Sequence, residues 1–213
     1  MTSFALITEG LTDQVTISSI LTGHYGEEPD ISEAQPLRDA TDESRQGSFA
    51  GWEKVFSYCK SELFLQQFYA NDFVVIQIDT DVCGHKNFNV NLKLGNKDRP
   101  TADIIEDVKD HIIKNISREI YDKYKDRIIF AISIHSLECW ILPLYGKTKI
   151  EKGRTRKCED FLRDIIKRFD IQYEKTFDPY LEITKPFRTK KYLDHAVSCN
   201  QSLQYFIKSL PPA

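Results

Sequence analysis

The chain has 213 residues, 41% of them apolar and 12% aromatic, with a net charge of −3. That length and composition suit one domain with a packed core. They exclude a membrane-spanning helix, because no apolar run approaches the ~20 residues that cross a bilayer, and a soluble protein is expected. The first strand also starts too early to leave room for a signal peptide, so a cytoplasmic protein is expected.

Phe4 to Thr8 reads as a strand. Thr12 or Asp13 can cap a helix carrying Val15, Ile17, Ile20 and Leu21, which Gly23 should end. Pro29 to Pro36 alternates and predicts a short second strand, and Thr41 to Ser48 reads as an acidic loop. Ala50 to Ala70 places Trp52, Val55, Phe56, Cys59, Leu63, Phe64 and Phe68 at helical spacing. Phe73 to Ile78 is the clearest strand. Residues 82–100, rich in glycine and asparagine, predict a long loop. Pro100 opens a helix that buries isoleucines from Ile104 to Ile120, and Ile128 to Ile134 is the next strand. His135 to Glu138 turns into an apolar helix that Pro143 and Gly146 end. Cys158 to Phe169 looks amphipathic, Thr176 to Thr189 carries few helix signals, and Tyr192 to Leu210 predicts one or two helices. Strands alternating with helices, with the strands continuously apolar, indicate an α/β fold around a mainly parallel sheet. Residues 1–146 form its core in this reading, and residues 147–213 form a basic, mainly helical extension packed on it.

Charge is unevenly distributed. Glu27 to Glu43 holds seven acids and one base, whereas Lys147 to Lys191 holds fourteen Lys or Arg against eight acids. A basic last third suits a polyanionic substrate, although a solvated helical surface reads the same way. Five scattered cysteines (Cys59, Cys83, Cys139, Cys158 and Cys199) show no CxxC and no short pairing. That pattern argues against structural zinc and fits a reducing compartment.

Acids stand at three predicted strand ends: Glu9, the pair Asp79 and Asp81, and Glu138. In parallel α/β sheets, polar groups beyond the carboxyl ends of strands line the ligand crevice. Carboxylates gathered there repel one another unless a proton or a cation neutralises them. In extended backbone, Asp79 and Asp81 share a face and could form a hard-oxygen site for Mg²⁺ or Mn²⁺. Gly10 permits a tight turn, with Asp13 as a helix cap, and His135 could contact phosphate or order a water. Each also has a plain structural reading, as turn, cap and boundary histidine.

Thr8-Glu9-Gly10-Leu11-Thr12-Asp13, followed by Asp79-Thr80-Asp81, resembles the acidic motifs of the Toprim superfamily. Gly47-Ser48-Phe49-Ala50-Gly51-Trp52 and Leu137-Glu138-Cys139-Trp140-Ile141-Leu142 are similar to segments of the small Toprim proteins related to RloB and of OLD-type nucleases. The resemblance implies a Toprim-like fold and Mg²⁺-dependent phosphodiester chemistry on nucleic acid. Glu9 would then serve as base or metal ligand, Asp79 and Asp81 as metal ligands, and Glu138 as support for a second metal. It further implies a role in phage defence beside a separately encoded ATPase, since this chain lacks GxxxxGK[ST]. The scissile phosphate needs a basic element, for which Lys185, Arg188, Lys190 and Lys191 are candidates and Arg154 to Lys157 the runner-up. Two other readings stay open: a haloacid-dehalogenase-type phosphatase, which the late position of Asp-x-Asp disfavours, and a non-catalytic module that binds nucleic acid or docks a partner.

Overall fold

The computed structural model describes residues 2–37 and 51–212. The predicted loop at Thr41–Ser48 and most of the glycine-rich segment from Gly47 lie outside the described residues. The main sheet is parallel throughout, in the order β2 (Asp30–Gln35), β1 (Ser3–Ile7), β3 (Phe73–Asp79), β6 (Ile128–Ser133). The register sets Leu6 beside Val75 and Ile76 beside Phe130. From β1 the chain moves outward to β2, then returns past β1 to β3 and on to β6. The winding direction therefore reverses between β1 and β3. In open α/β sheets that reversal leaves a crevice at the carboxyl ends of the two strands.

Both faces of the sheet are buried, which is why its strands read as unbroken apolar runs. Phe4, Leu6, Val75, Ile129 and Ala131 face one side, under α1 (Leu11–Tyr25) and α6 (Glu138–Tyr145). The other faces, with Ala5, Ile7, Val74, Ile76, Ile78 and Ile132, meet α2 (Gly51–Lys60), α3 (Glu62–Ala70), α4 (Thr101–Ile113) and α5 (Arg118–Tyr124). Four further helices follow: α7 (Lys149–Lys152), α8 (Cys158–Ile166), α9 (Phe177–Thr184) and α10 (Lys190–Cys199), before α11 (Gln201–Ser209). Leu162, Tyr180, Phe187, Leu193, Leu203 and Phe206 are buried in the same cluster as Phe4 and Leu6. Residues beyond 146 thus complete the cover of one sheet face. Among the described residues no helix is long and apolar enough to cross a membrane.

Several elements depart from the sequence expectation. α1 runs past Gly23 and ends at Gly26, whose φ of 77° only glycine adopts easily. Gly23 instead allows close packing, since a Cβ there would lie 1.9 Å from the Phe187 carbonyl oxygen. The 50–70 stretch breaks at Ser61, and the helix after Pro100 breaks before Ser117, whose hydroxyl caps α5. The 82–100 loop is anchored: Cys83, Phe88 and Val90 are buried, and Phe88 packs on Trp52 and Phe56. It also forms a small hairpin, β4 (Lys93–Leu94) with β5 (Lys97–Asp98). Residues 177–184, where the sequence carries few helix signals, form α9, and a 3₁₀ turn follows at Lys185–Arg188. The tail from Lys190 forms two helices, with Asn200 capping the second.

The cysteines need a correction. Cys139 and Cys158 form a disulfide, while Cys59, Cys83 and Cys199 are free. The pairing partners lie 19 residues apart on α6 and α8, and only the packing of those helices brings them together.

Candidate active site at the carboxyl ends of the strands

The Thr8 hydroxyl donates to the Gly10 carbonyl at 2.8 Å and folds the chain sharply after β1. Gly10 then caps α1 in extended conformation. Asp13, in the first turn of α1, accepts the Gly10 N–H, one half of a capping box. Neither Thr12 nor Asp13 is the capping residue itself. The turn sends the Glu9 side chain across to β3, where its Oε1 accepts the Asp79 N–H at 2.7 Å. The Glu9 N–H donates in turn to Gln77 Oε1 at 3.3 Å, and the Trp52 N–H also donates to the Glu9 carboxylate. Gly51 lies flat against this side chain: a Cβ there would stand 2.8 Å from Glu9 Cβ and 3.0 Å from Oε2.

Asp79 ends β3 and is firmly held. Its Oδ1 accepts from Gln77 Nε2 at 2.8 Å and from the Ser133 hydroxyl, and its Oδ2 from the Leu137 N–H at 3.3 Å. Asp81 lies beyond the strand and is exposed. The N–H groups of Thr80 and Asp81 both donate to the His135 carbonyl, at 2.8 and 2.9 Å. The strand geometry expected to align the two aspartates therefore stops at the first of them. His135 adopts φ 66° and donates its N–H to Thr80 Oγ1 at 2.7 Å. α6 begins only at Glu138, so His135 and Glu138 do not share a helical face.

Glu138 is 5% exposed. Tyr180 donates its hydroxyl to Oε1 at 2.7 Å, and the Lys175 ammonium stands 3.4 Å from the same oxygen. Lys175 also pairs with Glu159 at 2.8 Å.

The five acids share one electrostatic neighbourhood. Burial, then repulsion from Asp13, pushes Glu9 up to about 8. Burial and Glu138 push Asp13 up to about 7. Asp79 is raised well above the usual carboxylate range by burial and by Asp13, Glu9 and Glu138. Asp81 reaches solvent, yet partial burial and Glu138 raise it as well. Glu138 moves the opposite way: burial opposes its charge, but Lys175, Ser136 and Tyr180 together hold it below its ordinary value. Burial, with Arg156 close by, lowers the His135 imidazole despite Asp81 and Asp98.

Each carboxylate oxygen has more than one lone pair, so the donor set is of the hard-oxygen kind that suits Mg²⁺ or Mn²⁺. Among the described residues, however, no three acidic, histidine or cysteine side chains converge on one point as metal ligands. The acids are gathered but individually tied to hydrogen-bond donors.

The basic candidates are not brought to this cluster. The Lys185–Arg188 turn packs on Gly23, and Arg188 approaches Glu28 at 3.8 Å, both at the far end of α1. Lys190 follows directly and influences His24, and Lys191 is exposed beside it. Thirteen residues of helix separate Gly10 from Gly23, about 20 Å at 1.5 Å per residue. Arg156, from the runner-up segment, does lie near His135.

Four contributors went unread in the sequence: Gln77, Ser133, Lys175 and Tyr180. Gln77 carried a signal, as the one amide inside an apolar strand, because a fully buried amide requires partners. Lys175 and Tyr180 carried none, since their segment lacks periodicity. Comparison with known protein families, with curated proteins and with solved structures finds no match to this chain.

Proposed function

We propose that the chain is a metal-dependent phosphodiesterase acting on nucleic acid, with its site at the Glu9, Asp13, Asp79, Asp81 and Glu138 cluster. One observation carries the reading. Four carboxyls, Glu9, Asp13, Asp79 and Asp81, gather with Glu138 at the sheet's reversal point, and burial and neighbouring carboxylates raise the pKa of each. Such an arrangement is unfavourable in an apo protein and becomes favourable around a divalent cation. The likeness of Glu9-Gly10 and Asp79-Thr80-Asp81 to Toprim motifs supports the same reading.

Glu9, Asp79 and Asp81 would have to turn from their present hydrogen-bond donors to hold Mg²⁺ or Mn²⁺ together, and Asp13 and Glu138 would add charge nearby. The metal, when bound, would supply Lewis acidity toward a phosphoryl oxygen. The chain's own groups have separate tasks. Gln77, Ser133 and the Leu137 N–H orient Asp79. Tyr180 and Lys175 keep Glu138 ionised. Glu9 and Asp13 hold protons near neutrality and can exchange them.

The test is incubation of labelled DNA and RNA with Mg²⁺ or Mn²⁺, comparing the wild type with Asp81→Ala, where exposure makes misfolding improbable. Loss of cleavage by about 100-fold or more is expected. Full turnover in the variant would sink the site assignment. Binding without cleavage in both proteins would favour a non-catalytic module, and phosphate release from small monoesters would favour the phosphatase.

A further inference from the structure

Beyond Lys175, which pairs with Glu138, two segments far apart in sequence are rich in cations. Residues 93–99 carry Lys93, Lys97 and Arg99 against one acid, Asp98. Residues 147–157 carry six Lys or Arg against one acid, Glu151. Both acids are already engaged: Asp98 pairs with Arg156, and Glu151 accepts the Lys147 and Thr148 N–H groups. The Asp98–Arg156 pair joins the hairpin to the second segment. Beside it lies a shallow groove lined by Asp98, Lys149, Ile150, Arg154 and Arg156. Lys93, Lys97, Lys147, Lys149 and Lys157 have no ion-pair partner among the described residues.

The second segment borders the acids: Cys158, next to Lys157, is bridged to Cys139, next to Glu138, and Lys175 joins Glu159 to Glu138. One large apolar side chain stands out of this basic surface: Ile150, 82% exposed in the groove. Leu94 is paired with Lys97 across the hairpin and faces away from Lys93 and Asp98.

We infer that the β4–β5 hairpin and the 147–157 segment form a nucleic-acid track ending beside the acid cluster, with Ile150 as an apolar wedge against the bases. The inference rests on the phosphodiesterase reading for its choice of partner. Unpaired lysines on both banks neutralise phosphates, and binding through them releases counterions. An exposed Ile side chain next to a lysine is the kind of group that inserts between base steps. An anionic lipid surface could also take basic and apolar groups together, but nothing would then connect it to the carboxylates beside the track.

The test measures binding without cleavage. A fluorescein-labelled 20-mer, single-stranded and duplex, is titrated in EDTA across a salt series. Lys93→Glu with Lys149→Glu is expected to weaken binding at least tenfold and to lower the log–log salt slope by about two. Ile150→Ala should keep the slope but lose the fluorescence rise of a 2-aminopurine placed in the duplex. Lys190→Ala with Lys191→Ala, at the far end of α1, should change neither. The inference is overturned if the Lys93/Lys149 variant binds as wild type, if the Lys190/Lys191 variant loses binding instead, or if phosphatidylserine vesicles are bound and nucleic acid is not. Cleavage by wild type in Mn²⁺ is scored separately, so binding through the track without hydrolysis would count against the enzymatic reading alone.

Discussion

Glu9 is gripped by the Asp79 and Trp52 N–H groups, yet it remains a carboxyl pushed up to about 8 by burial and by Asp13. Two donors do not offset the loss of water plus the neighbouring charge. The consequence for pH has a definite sign. Glu9 rises from 4.5 to about 8 and Asp13 from 3.8 to about 7 on folding. Between roughly pH 4 and 8 the folded protein keeps protons that the unfolded chain has released, so stability falls as pH rises. Melting of EDTA-treated protein should therefore drop by several degrees from pH 5 to pH 8. Asp13→Asn should flatten the slope, and Mn²⁺ should restore more stability at pH 8 than at pH 5. A melting temperature that climbs over this window would contradict the shared-charge description. Lys175 gives a second case. Replacing it with Met leaves Glu138 buried with Tyr180 and Ser136 alone. Because Lys175 is half exposed, the loss should be modest, about 1 kcal/mol, with the Glu138 carboxyl titrating at higher pH by carbon-13 NMR.

Among the elements, α1 shows how local propensity yields to packing. Alanine is a better helix former than glycine by about 1 kcal/mol, so Gly23→Ala would stabilise an isolated α1. Here the added methyl would strike the Phe187 carbonyl, a backbone atom that cannot swing aside. We expect Gly23→Ala to destabilise the protein by roughly 2 kcal/mol or more, read by urea denaturation, whereas Gly84→Ala, which meets nothing within 4 Å, should be nearly silent. The same contrast explains what the sequence could and could not tell. β1, β3 and β6 were legible because burial on both faces writes a continuous apolar run. Gly23 was misread as a stop because the residue approaching it lies more than 160 positions later. α9 was missed because its helix is short and its buried residues, Tyr180, Ile183 and Thr184, mix polar with apolar. Within the site, the acids at strand ends could be located from strand order alone. The basic partners could not, since residue spacing says nothing about which end of a helix a distant turn will meet.

For the whole molecule, the Cys139–Cys158 bridge ties α6 to α8 directly beside the acids that share Lys175, Glu138 on one helix and Glu159 on the other. A bridge closing a loop of this length contributes on the order of 3 kcal/mol. Cys158→Ser, or reduction by dithiothreitol, should lower the melting temperature by several degrees, while the free thiols Cys59 and Cys83 stay buried and unreactive. A melting temperature indifferent to reduction would show that helix packing alone sets the spacing.

Phe4 and Leu6, near the start of the chain, finish in one cluster with Leu203 and Phe206, near its end. A ribosome must thus release the chain through Phe206 before the first strand finds all its neighbours. Until then one side of the growing sheet stays sticky, so production in cells should depend on holdase chaperones and on slow translation more than on the robustness of the finished protein.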